Sequence, residues 1–188
     1  NVSRTPLREA IRQLEAEGFV TTVPRFGSFV SEITSQDAED LYAIRSVIEG
    51  LAARQAAESQ DDAKRVVLGG ILSDLAKRTA DYRQYHEISG RFHDVIVELS
   101  GNRRLQGIYQ SLAQHVSRLR TVSLAVRGRP KISLRGHRRI AAAILRGRGA
   151  EAERAMREHI EAAYGVLKRT VPGSTKRRAR GSAGAGAH

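Results

Sequence analysis

The chain has no cysteine and no tryptophan, one methionine and four prolines in 188 residues. Without thiols it can form neither a disulfide nor a thiolate metal site. No apolar run approaches the roughly 20 residues that a membrane-crossing helix needs, and the first residues lack a secretory signal pattern. These absences predict a soluble, cytoplasmic protein with no membrane partner. Aromatic residues make up only 5% of the chain, whereas alanine, glycine and arginine are abundant. Long stretches between turn signals predict a mostly α fold, and the length suits one large or two small domains with an ample core.

Acidic residues are also missing where cations gather. The net charge is +12, yet residues 1–34 hold four Arg and four Glu and are neutral. From Leu99 to Ala150 there are twelve Arg or Lys and no Asp or Glu, and five more basic residues follow from Arg169 to His188. Such a surplus suits an anionic partner, nucleic acid or a small effector, although a solvated helix face produces the same pattern.

What is present begins with SRTPLREAIRQLEAEGFVTTVPRFGSF, residues Ser3 to Phe29. Thr5 as a cap and Pro6 at the first helical position predict a helix from Pro6 to Glu17. Leu7, Ala10, Ile11 and Leu14 share one face, and Arg4, Arg8 and Arg12 line another. Gly18 ends the helix, Phe19 to Val23 form a β-prone run, Pro24 to Gly27 turn, and Ser28 to Val30 return. Arginines one turn apart are suited to guanine edges, each bidentate contact being worth about 1–3 kcal/mol of discrimination.

This order resembles the winged helix-turn-helix of the gluconate-repressor (GntR) family of bacterial transcription regulators. The resemblance rests on Ser-Arg-Thr-Pro-x-Arg-Glu-Ala followed by the Gly-tipped RFG hairpin. It implies that Ser3, Arg4, Thr5 and Arg8 touch DNA from the recognition helix, and Arg25 and Gly27 from the wing. The family's domain places two helices ahead of the recognition helix, whereas only Asn1 and Val2 precede it here. The expected first domain, residues 1–32, is therefore a partial winged helix-turn-helix: either the start lies upstream or this copy is degenerate.

Residues 33–169 read as an all-α helical bundle, and 170–188 as a disordered basic tail poor in apolar residues. The bundle is expected to contain helices at 35–58, at 62–79 interrupted by Gly69-Gly70, at 82–99, 104–126, 133–146 and 150–168, with a linker at 127–131. The first of these should bury Leu41, Ile44, Ile48, Leu51 and Ala52. DLYAIRSVIEGLAARQAAE and RFHDVIVELSGNRRL resemble the FCD sensor domain of the FadR-type branch of the same family. Arg45 and Glu49 match its Arg and Glu positions; they form an i, i+4 ion pair, or Arg45 faces an anionic effector.

His93, His137 and His159 lie on the apolar stripes of three different helices. Buried imidazoles need partners, and one metal ion would satisfy all three. The FCD resemblance implies a divalent ion held by one Asp and three His, with Ser89 here at the Asp position. A hydroxyl is a weak ligand, so a water, His86 or His115 would complete the set. Zinc suits three His and an open position best, with nickel next. The open position would accept a small organic acid effector, and the resemblance implies a homodimer reading a palindromic operator.

The function expected is that of a ligand-responsive transcription regulator and not an enzyme. Two alternatives stand beside it: a sensor remnant that cannot bind DNA, and a three-His metal-dependent hydrolase with Asp94 or Glu98 as the base.

Overall fold

The computed structural model describes residues 3–59 and 61–170, with Arg4 placed by its backbone. Of the tail predicted at 170–188, Thr170 is the last residue of the final helix and the rest lies outside the described residues. The chain divides into two compact units after Thr34.

The first unit is helix α1 (Arg4–Ala16), strand β1 (Val20–Val23) and strand β2 (Gly27–Val30). The cap is Ser3 and not Thr5. The Ser3 hydroxyl accepts from the Thr5 N–H at 3.4 Å, and Pro6 falls inside the first turn, where its missing N–H costs nothing. Gly18 takes φ +79° at the helix end. The strands pair antiparallel, Val20 opposite Val30 and Val23 opposite Gly27. Their turn needs left-handed backbone at Arg25 (φ +70°) and Gly27 (φ +112°). The Thr22 N–H donates to Glu15 at 3.1 Å and ties hairpin to helix. Leu7 and Leu14 are 57% and 41% exposed.

The second unit is a bundle of six helices: α2 (Ser35–Glu58), α3 (Asp62–Lys77), α4 (Tyr82–Leu99), α5 (Arg103–Ala125), α6 (Arg129–Leu145) and α7 (Gly149–Thr170). α2 runs most extensively along α7, which also lies on α6, and α4 packs on α2, α3 and α5. Asp61, Asp81 and Asn102 cap α3, α4 and α5 with side-chain oxygens.

Three expectations about the bundle are corrected. α3 passes through Gly69-Gly70 unbroken, because burial of Leu68 and Leu75 outweighs about 1 kcal/mol of helix propensity lost per glycine. α6 starts at Arg129, taking in much of the supposed linker, since Gly128 turns the chain at φ +78° and Pro130 is accepted in the first turn. The buried face of α2 is Ala38, Tyr42, Arg45, Glu49, Ala52, Ala53 and Ala56, while Ile44 and Leu51 are 48% and 39% exposed. Small alanines allow α7 to approach closely, and the larger aliphatics turn outward.

Candidate functional site

An apolar bundle holds buried polar groups only when they satisfy one another or await a ligand. Among the described residues the buried polar side chains are Arg45, Glu49, Ser89, His93, Arg120, Ser123, Arg129, Ser133, His137 and His159. They form one cluster. Eight of them line a single cavity together with Tyr42, Leu124 and Ala163; of the other two, Glu49 contacts Arg45 and His93, and His137 stacks near His93 and His159.

Five helices supply the cluster: α2 gives Arg45 and Glu49, α4 Ser89 and His93, α5 Arg120 and Ser123, α6 Arg129, Ser133 and His137, and α7 His159. The three histidines predicted from separate stripes do converge. One ligand nitrogen from each lies within 4.8 Å of the other two. Ring centroids are 5.4 Å apart for His93–His137 and His93–His159, and 4.5 Å for His137–His159.

Their partners orient the rings. His93 Nδ1 lies 2.5 Å from the Glu49 carboxylate, a contact that favours the proton on Nδ1 and a lone pair on Nε2. The Tyr85 hydroxyl sits 3.0 Å from His137 Nδ1, while His137 Nε2 is buried without a partner among the described residues. Burial lowers the pKa of all three imidazoles, most strongly for His137 and His159, and keeps them neutral. Neutral imidazoles with free nitrogens suit a divalent ion of intermediate softness, so the donor set fits a three-nitrogen metal centre. Ser89 faces the same cavity. His86 does not: its Nε2 lies 3.1 Å from the Ser117 carbonyl oxygen on α5.

Of the two readings of Arg45, the i, i+4 ion pair with Glu49 is the one present. The Arg45 Nε donates to Glu49 in a fully buried ion pair, and its Nη2 lies 3.5 Å from His93 Nε2 inside the cavity. Burial works against both charges, but each partner's field prevails, so the Arg45 pKa rises and that of Glu49 falls well below the usual carboxylate range. Asp94, the candidate base of a hydrolase, accepts from the Tyr109 hydroxyl at 2.8 Å and is absent from the cavity wall.

Sequence reasoning missed Arg120 and Arg129. Both belong to the acid-free stretch, in which nine of the twelve cations are exposed, and only their places on the buried faces of α5 and α6 separate them from the solvated majority. Gly136 was also missed. A Cβ there would lie 2.4 Å from His159 Nδ1, so only glycine leaves room for that ring. The cavity itself is tight, about 10 Å³, enough for roughly one water or ion.

In the first unit Thr5, Arg8, Arg25 and Gly27 are exposed at the helix start and hairpin tip, as is Ser3. The side chain of Arg4 lies outside the described residues. No helix among the described residues is long and apolar enough to cross a membrane.

Comparison with known proteins gives this geometry a context. Residues 40–162 match the FCD domain, and residues 1–30 match the bacterial regulatory proteins of the gntR family. An uncharacterised HTH-type transcriptional regulator of Bacillus subtilis, YdhC, is 30% identical over 142 residues, 74% of this chain and 63% of that protein. The chain thus spans less than two thirds of that relative. The HTH-type transcriptional repressor RspR of Escherichia coli is 28% identical over 163 residues, 86% of this chain and 72% of the repressor. Among solved structures, E. coli McbR/YncC superposes with a TM-score of 0.78 at 17% identity, covering 90% of this chain and 86% of that one, which shows a shared fold. With the FCD match covering most of the residues and the wing-bearing N-terminal unit matching as well, the chain belongs to the gntR family of bacterial regulatory proteins, in the branch that carries an FCD domain.

Proposed function

We propose that the protein is a transcription regulator whose helical unit senses a small organic acid beside a divalent metal ion and thereby alters its hold on operator DNA. The observation that carries this reading is the confinement of every described buried polar residue to one cluster in an otherwise apolar bundle. Stability alone does not call for such a cluster, since packed aliphatic side chains would serve it as well or better.

In this reading His93, His137 and His159 hold the ion, zinc first and nickel second, with Ser89 at the fourth side. The ion supplies an open coordination position for a carboxylate oxygen. Arg45 neutralises the acid's charge, and Glu49 and Tyr85 orient the rings of His93 and His137. Gly136→Ala tests the support of the site without replacing a ligand. The added methyl must displace the His159 ring, so metal affinity falls about tenfold or more even though alanine favours the helix. A competition titration against a chromophoric chelator reads this, and an unchanged affinity would remove His159 from the ligand set.

DNA contact falls to Ser3, Arg4, Thr5 and Arg8 at the start of α1 and to Arg25 and Gly27 at the hairpin tip. Two copies would present two such units to a palindromic site. The outward apolar stripe of α2, Ile44, Val47 and Leu51, supports a homodimer, because it lacks cover within the described chain. Fluorescence anisotropy with DNA flanking the gene, on this chain and on one extended upstream, is the direct test. Arg8→Ala should cost about 1–3 kcal/mol in operator affinity. Organic acid should change that affinity, and failure of both polypeptides to bind any flanking DNA would defeat the regulator reading.

A further inference from the structure

Charge and hydrogen-bond capacity in the cavity are unbalanced in the same direction. Three buried guanidiniums, Arg45, Arg120 and Arg129, face one buried carboxylate, Glu49. Glu49 is bound by the Arg45 Nε, so Arg120 and Arg129 have no carboxylate of their own. The other two guanidiniums are 8% and 3% exposed, and the Nε of each has no partner among the described residues. The Tyr42 hydroxyl and Ser123 Oγ are likewise buried without a partner, and all four groups line the one cavity. Arg120 is held there by design of the backbone: a Cβ on Gly90 would come within 2.8 Å of its Nη1.

A buried guanidinium N–H without an acceptor is expensive, and two guanidiniums lining one cavity repel each other as well. The group that completes them must carry negative charge for both and enough oxygens to accept from two guanidiniums and two hydroxyls. A monoanion whose single carboxylate is turned toward the histidines leaves this side unsatisfied.

We propose that Arg120, Arg129, Ser123 and Tyr42 form a second oxyanion subsite, so that the effector is a compact dianion and singly charged acids are rejected. This rests on the reading that the cavity takes an anionic effector, and it adds the charge and the second anchoring point. Two guanidiniums grip an oxyanion through paired N–H donors, which suits either a second carboxylate or a phosphate.

The test is thermal unfolding of the whole chain at constant ionic strength, with and without chelator. The probes are malonate and succinate as dicarboxylates, inorganic phosphate as the phosphate source, and acetate and lactate as monoanions. At saturation a dianion raises Tm by on the order of 5 °C and a monoanion by far less. Whether the dicarboxylates or phosphate give the shift identifies the second group. Arg129→Met weakens dianion binding by about a hundredfold, yet leaves the ligand-free Tm equal or higher, because it removes an unpaired buried charge. A residue with only a structural role would lower it. Gly90→Ala, which keeps every polar group and moves only the Arg120 guanidinium, should reduce the dianion shift in the same way. Equal shifts from acetate and malonate, or a dianion shift retained in both variants, would overturn the second subsite while leaving an anion-sensing cavity. If no anion shifts Tm in any condition, the effector reading fails and takes the subsite with it.

Discussion

Glu49→Gln is expected to lower the unfolding free energy by about 3–5 kcal/mol, a fall in Tm on the order of 10 °C. Glu49 is 1% exposed and is the one carboxylate among the described buried residues. Removing its charge leaves Arg45, Arg120 and Arg129 buried with no counter-charge, and removes the acceptor that fixes His93. An amide keeps the volume and can still accept one hydrogen bond, so the loss reports charge and not a cavity. Exposed pairs such as Arg139–Glu158 and Lys77–Asp74 lie in water and should contribute little when broken. The cost also depends on leaving the partner behind. Arg45→Met combined with Glu49→Met removes both charges and should recover the part of the loss that is due to Arg45, leaving the part due to Arg120, Arg129 and His93. Urea unfolding of the unaltered chain and the two variants decides the matter. A Glu49→Gln effect below about 1 kcal/mol would mean that water reaches the pair and that the cluster is not a dry site.

How much of this was readable beforehand differs by residue. His93, His137 and His159 were legible because imidazole on an apolar helical stripe is costly, and three stripes in one bundle have few ways to point except toward each other. The recognition helix, the wing and the bundle were legible from caps, glycines and period. The inward face of α2 was not, since a stripe of Leu and Ile normally marks the core and here faces outward, while Ala52, Ala53 and Ala56 line the seam with α7. Helix period alone cannot rank two apolar faces when one is made of alanine and interrupted by Arg45 and Glu49. Arg120 and Arg129 were hidden for a related reason. Nine exposed cations in the same stretch make any one arginine look solvated, and burial is a property of the fold and not of the residue. The roles of Gly90 and Gly136 depend on a close approach between helices, which nothing local to either glycine encodes.

The two positions that bear most on the metal should respond in opposite directions. His137→Ala removes a nitrogen that is fully buried and has no other partner at Nε2. Metal affinity should fall by more than the ten- to hundredfold, roughly, that loss of a supporting residue costs, and metal per chain after dialysis should drop to near none by elemental analysis. Ser89→Asp does the reverse. It places a carboxylate in the same cavity, at the position where the FCD resemblance implies an acidic ligand. A unit charge about 4 Å from a cation at an effective dielectric near 20 is worth about 4 kcal/mol. After the carboxylate's desolvation an affinity gain of roughly tenfold or more remains. The same substitution offsets one of the surplus positive charges beside Arg120 and Arg129, so the response to a dianion should weaken as metal binding strengthens. That reciprocal change would join metal and effector in one cavity. If Ser89→Asp leaves metal affinity where it was, Ser89 is not beside the ion, and a centre built on the three histidines must be completed from another side.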